Sequence, residues 1–262
     1  MQTMDHTQMP PAGLEATSEG YTFEPVDAII ERGADRPFQF RITGPDGAAV
    51  TDYATEHDKD LHLIVVRRDL GHYQHVHPTM AADGTWSVPL DLPAGGSYRA
   101  FADFAPIGAE GLTLGTDLRV RGPEAVEDLP APATIDEVDG YEVELVGDVV
   151  AGAESALTLR VTRDGAPVID LDPYLGAYGH LVALRPDDLA YLHVHPEGEP
   201  GDGRTPAGPE VTFRAHVPAA GAHRLFFDFR HEGTVRTAAF TVDAAPAPPA
   251  ASTDAGHDAH GG

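Results

Sequence analysis

Residues 61–78 read Leu61-His-Leu-Ile-Val-Val-Arg-Arg-Asp-Leu-Gly-His-Tyr-Gln-His-Val-His-Pro78, and residues 180–196 read His180-Leu-Val-Ala-Leu-Arg-Pro-Asp-Asp-Leu-Ala-Tyr-Leu-His-Val-His-Pro196. Paired without a gap, His62–Pro78 and His180–Pro196 share nine of 17 positions, among them both histidines of His-Val-His-Pro. A later aromatic stretch repeats too: Arg99, Phe101, Asp103 and Phe104 match Arg224, Phe226, Asp228 and Phe229. The chain is therefore a tandem duplication of one domain. The seven-residue difference in offset falls in the Gly- and Pro-rich stretch Glu197 to Pro209, as an insertion at a surface tip should.

Strand signals fill each copy. Phe38-Gln-Phe-Arg-Ile42 alternates apolar and polar residues ahead of a Gly44-Pro-Asp-Gly47 turn, and Leu157-Thr-Leu-Arg-Val161 matches it. Further strands are expected at 61–67, 73–77, 86–92, 97–104 and 114–121, with counterparts in the second copy. No segment sustains a 3.6-residue period. About seven short strands in about 100 residues predict an all-β fold: two tandem immunoglobulin-like β-sandwiches. A Greek-key barrel of the cupredoxin type fits nearly as well. The expected layout is a flexible Met- and His-containing arm (1–20), repeat one (21–122), a Pro- and acid-rich linker (123–138), repeat two (139–243) and a disordered Pro/Ala/His tail (244–262).

Composition narrows the function. There are 42 acidic residues against 17 basic, a formal charge of −25, which disfavours nucleic acid and anionic membranes as partners and favours cations. With no cysteine, disulfides, thiolate catalysis, Cys-type zinc sites and blue-copper centres are excluded. No run of 18 apolar residues predicts a membrane helix. Met1–Pro11 lacks the apolar core of a signal peptide; the expected location is extracytoplasmic, secreted or in the cell envelope, with the signal segment absent from this chain, and the cytoplasm stays open as the alternative.

Histidines at i and i+2 of a strand point to one side, half of a metal site. His62 shares parity with Ile64 and Val66, so it is expected to face inward against a sandwich core, where an imidazole needs a partner. Asp103, set in a strongly apolar strand, needs one as well. The expectation is one site per domain: His62, His75, His77 and Asp103 in the first, His180, His193, His195 and Asp228 in the second. Imidazole suits copper, with zinc the alternative. The carboxylate could instead orient a ligating histidine. The opposing expectation is a structural hydrogen bond between His62 and Asp103. His57, His72, His216, His223 and His231 lack a histidine counterpart and are expected at the surface. Neutral imidazoles are needed for ligation, so binding is expected to weaken as pH falls through about 6.5.

Met4-Asp-His6-Thr-Gln-Met9 resembles the Met- and His-containing repeats of bacterial copper-resistance proteins, and thioethers select Cu(I). Residues 61–78 with Ser97–Phe104 resemble the repeat of bacterial extracytoplasmic proteins encoded among copper and heavy-metal efflux functions. That likeness covers most of both repeats and implies a metal-handling setting without an assigned mechanism. His-Val-His on a β-sandwich is also similar to the copper-ligand pair of copper-zinc superoxide dismutase. That enzyme's disulfide cysteines are missing here, so its activity is not carried over. Three functions follow: a copper protein of homeostasis or resistance, a non-catalytic interaction module with structural histidines and a protein partner, and a mononuclear copper enzyme acting on a small oxidant such as superoxide.

Overall fold

The computed structural model describes residues 12–124, 126–192 and 194–247, apart from the side chain of His195. The described residues form strands and turns with no α-helix, and no helix is long and apolar enough to cross a membrane. The first repeat runs β1 (Thr17–Ser18), β2 (Tyr21–Pro25), β3 (Ile29–Glu31), β4 (Gly33–Thr43), β5 (Tyr53–Ala54), β6 (His62–Arg67), β7 (Gln74–Val76), β8 (Thr79–Met80), β9 (Trp86–Leu92), β10 (Gly96–Pro106) and β11 (Leu112–Arg121). The second runs β12 (Ile135–Val138), β13 (Tyr141–Val146), β14 (Glu154–Arg163), β15 (Ala166–Pro167), β16 (His180–Leu184), β17 (Tyr191–Leu192), β18 (Val194–Pro196), β19 (Glu210–His216), β20 (Gly221–His231) and β21 (Thr234–Ala244).

Each repeat is a two-sheet sandwich. In the first, β1-β2-β4-β9-β8 faces β3-β11-β10-β6-β7; in the second, β12-β13-β14-β19-β18 faces β17-β16-β20-β21. The outer sheets alternate as half-buried strands should: in β4 the residues Phe38, Phe40 and Ile42 are buried while Gln39 and Arg41 are exposed. The inner sheets do not alternate. Every residue of β6 and of β16 is buried. A strand buried on every residue is covered on both faces, and the parity of its side chains shows by what. Leu63, Val65, Ala100 and Ala102 join Phe38, Phe40 and Trp86 in the first sandwich core. Ile64, Val66 and Phe101 join Val182, Leu184 and Phe226 in a separate core. The molecule is thus four sheets deep, with the inner sheets packed on each other along an interdomain seam.

The seam has an approximate two-fold symmetry. Phe101 packs on Tyr191 with ring centres 5.6 Å apart, and its counterpart Phe226 stacks on Tyr73 at 4.0 Å. These are one contact made twice with the repeats exchanged, as a two-fold interface requires. Each pair adds about 0.5–1.5 kcal/mol beyond its buried area.

Several boundaries differ from expectation. Residues 12–20 are ordered: Gly13 donates to Thr113 O at 3.0 Å, Tyr191 donates to Ala12 O at 3.0 Å, and β1 extends the outer sheet. This segment spans the seam and bonds to both repeats. Arg99, buried, donates to Gly13 O and Gly115 O. A Cβ on Gly115 would lie 1.9 Å from Gly13 O, so the approach requires glycine there. The end of the expected linker, Ile135–Val138, is a strand paired with β13, and Ala244 is a buried residue of β21 rather than the start of a free tail.

Candidate metal centre

The β6–β10 register sets His62 opposite Asp103, and β6–β7 sets Ile64 opposite His75. His62 therefore lies on the seam side of its sheet, with Ile64 and Val66, and not on its own sandwich core. The expected inward orientation is corrected: the face is buried, but the domain that buries it is the other one. After Val76 the chain leaves the inner sheet and re-enters the outer one at Thr79, where β8 pairs with β9. His77 and Pro78 lie at this crossing.

His75 Nε2 and His77 Nε2 each lie 3.1 Å from His62 Nδ1. The three ligand nitrogens are all within 4.8 Å of one another and could hold a metal ion. For metal–nitrogen bonds of about 2.0–2.1 Å, ring centres around a tetrahedral ion sit roughly 5.2 Å apart. Those of His62–His75, His62–His77 and His75–His77 are 5.3, 4.9 and 4.9 Å apart.

The surrounding contacts fix which nitrogens carry hydrogen. His62 Nε2 is 3.1 Å from the Glu56 carbonyl oxygen, an acceptor only, so Nε2 donates and Nδ1 presents a lone pair. His75 Nδ1 is 2.9 Å from Asp228 Oδ2, so Nδ1 donates and Nε2 presents a lone pair. Two lone-pair nitrogens thus face each other at 3.1 Å with no hydrogen between them in the neutral state. A cation between them removes that repulsion, whether a proton or a metal. Protonation is opposed by the site itself. Burial, then the neighbouring His75, lowers the His62 pKa to about 4. Burial, then His75 and His62, lowers that of His77 to about 2. Both imidazoles are thus held in the neutral form that ligation needs.

Asp103 lies opposite His62 and acts on it electrostatically, and a second carboxylate reaches the trio from the other domain. His75 takes its partner from the other repeat, as Asp228. Asp228 also accepts from Thr237 Oγ1 and, at 3.5 Å, from Tyr73 OH. Asp103 accepts from Thr113 Oγ1 at 3.0 Å and from Tyr191 OH of the second repeat at 3.5 Å. The tyrosine–aspartate pairing is exchanged across the seam in both directions. Burial, then the facing aspartate, raises the pKa of Tyr73 and of Tyr191 well above the usual phenol value.

His180 lies beside the trio, its ring centre 6.4 Å from that of His62 and 6.2 Å from that of His75. Its Nε2 is 3.1 Å from both Tyr174 O and Leu175 O. Burial, then His75, lowers its pKa to about 3. His57, expected at the surface, is half-buried, with its ring 5.2 Å from that of His180 and 6.1 Å from that of His62. Its position aligns with Leu175, so the repeat carried no sign of it. His57, His62, His75, Asp103, His180 and Tyr191 line a cavity of about 30 Å³, room for one water or ion.

The other expectations sort as follows. His223 and His231 are buried, not exposed. His223 Nδ1 lies 3.0 Å from Gly221 O, and His231 sits between Tyr141 OH at 2.7 Å and Asp170 at 3.1 Å. His216 is exposed as expected. Met4, His6, Met9, His193, His257 and His260 lie outside the described residues, as does the side chain of His195.

No curated protein matches this chain. Solved structures resembling it include the Escherichia coli adhesin FdeC, 13% identical with TM-score 0.29, covering 88% of this chain and 65% of that one. A Salmonella alpha-2-macroglobulin variant is 15% identical with TM-score 0.29, covering 94% and 16%. Domains 4–9 of the surface-layer protein SbsC are 11% identical with TM-score 0.27, covering 88% and 31%. The chain thus spans less than two thirds of each of these structures. A family model described as "Domain of unknown function (DUF8832)" matches twice, at residues 16–121 and 136–246, one copy per sandwich. The chain is therefore a tandem member of the DUF8832 family.

Proposed function

We propose that this is a metal-binding protein whose ion, copper, is held by His62, His75 and His77 at the seam, and that it serves metal homeostasis or resistance by holding or passing that ion. The observation that carries the reading is the pair of lone-pair nitrogens 3.1 Å apart, backed by a carboxylate on one imidazole and a carbonyl on the other. Ligating histidines characteristically donate their second N–H in this way. An all-imidazole set binds Cu(II) more tightly than Zn(II) by the Irving–Williams order, and the likeness to efflux-associated repeats points the same way. That likeness also supports an extracytoplasmic setting.

A second reading keeps the histidines structural, in a tandem immunoglobulin-like module that binds another protein. The hydrogen bonds from His62 to Glu56 O and from His75 to Asp228 favour it, because each closes without an ion. Titrating the protein with Cu(II) and with Zn(II), beside His62→Ala, separates the two. The metal reading expects the parent to bind at micromolar affinity or tighter and the variant to lose it. Absence of binding by the parent, with the variant merely less stable, leaves the structural module.

A further inference from the structure

We infer that the ion is shared between the two domains, with His180 of the second repeat supplying a fourth imidazole nitrogen to His62, His75 and His77. This rests on the metal reading above and assigns a ligand and a consequence that it does not contain.

Four observations carry the inference. First, β16 and β20 set His180 opposite Asp228, the residue that orients His75. One strand pair of the second domain thus brings both a carboxylate and an imidazole to a site whose other members lie on the first. Second, His180 Nε2 is bound to the carbonyls of Tyr174 and Leu175, so its hydrogen is there and Nδ1 is the lone pair. His62, its repeat counterpart, offers the same atom after giving Nε2 to Glu56 O. Third, two imidazoles on one ion have ring centres roughly 4.5–6.4 Å apart, from cis to trans placement at about 2.0–2.1 Å bonds. His180 stands 6.2 Å from His75 and 6.4 Å from His62, outside the group of three whose nitrogens lie within 4.8 Å of one another, so it must move inward to share their ion. A closure of about 1 Å brings it to the tetrahedral separation. Fourth, a cavity of about 30 Å³ is lined by His62 and His75 of the first domain and His180 of the second, with His77 outside its lining, so it joins the two domains at the edge of the trio.

The consequence is mechanical. An ion bound by ligands from both sandwiches fastens them, and its removal loosens the seam without unfolding either core.

The test is a Cu(II) titration of the full chain and two variants, with the number of coordinated imidazoles counted by pulsed electron paramagnetic resonance. His180→Gln keeps an N–H where Nε2 was, for the Tyr174 and Leu175 carbonyls, and supplies no imidazole. It is expected to weaken Cu(II) binding by at least about tenfold and to lower the count from four to three. His180→Ala should do the same, and agreement of the two excludes a folding artefact. Circular dichroism of each metal-free variant verifies that the sandwiches are intact. Unchanged affinity and an unchanged count of three in His180→Gln overturn the inference and leave the trio standing. A parent that binds no Cu(II) overturns the trio, and the inference with it.

Discussion

The two repeats carry the same histidines on different backbones. In both, a histidine begins the inner strand opposite an aspartate, His62 with Asp103 and His180 with Asp228. In both, its Nε2 is held by carbonyls of the preceding turn, Glu56 in one and Tyr174 and Leu175 in the other. They part at His-Val-His. The first copy stays on the inner sheet through Val76, so His75 is a member of β7. In the second, Tyr191 and Leu192 pair with β16, and Val194–Pro196 pairs with β19 of the outer sheet. The insertion Glu197–Pro209 follows directly, where the first copy has the short turn from β8 into β9. Identical residues thus acquire different sheet partners: Val76 pairs with Leu63 of the inner sheet, and its counterpart Val194 with Ala215 of the outer one. A duplicated motif conserves chemistry only where the strand that presents it keeps its register.

The seam itself offers the largest effect. Phe101→Ala and Phe226→Ala each remove a buried ring, and each should cost about 3–5 kcal/mol of unfolding free energy. Phe226→Ala should be the worse, because its ring stacks face to face on Tyr73 at 4.0 Å, whereas Phe101 meets Tyr191 tilted at 5.6 Å. Urea denaturation measures both. A loss under about 1 kcal/mol in either would show that the two domains do not share this core.

Next in size is the exchanged carboxylate. Asp228→Asn should weaken Cu(II) binding about 10- to 100-fold, because His75 loses the acceptor that fixes its tautomer. Asp103→Asn, in the matching position of the first repeat, should weaken it less. If Asp103→Asn proves the more damaging, the set is formed within each repeat after all.

Much of this was legible in the sequence. Duplication, strand number and the two histidine pairs follow from the nine shared positions and the alternation of Phe38–Ile42. The seam was written there too. Leu63-Ile-Val-Val66 and Leu181-Val-Ala-Leu184 show no alternation, which is the mark of a strand covered on both faces. Parity alone sent His62 to its own core, because parity separates the faces of a strand without saying what covers each. The exchange of aspartates was not legible. Comparison of the repeats treats Asp103 and Asp228 as one position, and a two-fold interface makes contact within a repeat and contact across it look alike. His57 was hidden by its alignment with Leu175. His223 and His231 were misplaced because lack of a counterpart says nothing about burial.

The smallest effect tests whether His62 and His180 are equivalent before any metal arrives. Both are buried and both have folded-state pKa values below the ordinary 6.5, about 4 and about 3. A group whose pKa is depressed on folding is protonated first in the unfolded chain. The unfolded state therefore binds more protons, and stability falls as pH drops through 6.5. Between pH 7.5 and pH 6 each histidine should withdraw about 0.8 kcal/mol from the metal-free protein, since both remain neutral in the fold over that range. His62→Gln and His180→Gln should each flatten the slope of stability against pH by that amount, and by the same amount. Urea midpoints collected from pH 7.5 to 6 resolve this. A slope that His180→Gln leaves unchanged would mean that its imidazole is open to solvent, and the two repeats would no longer meet at a common buried site.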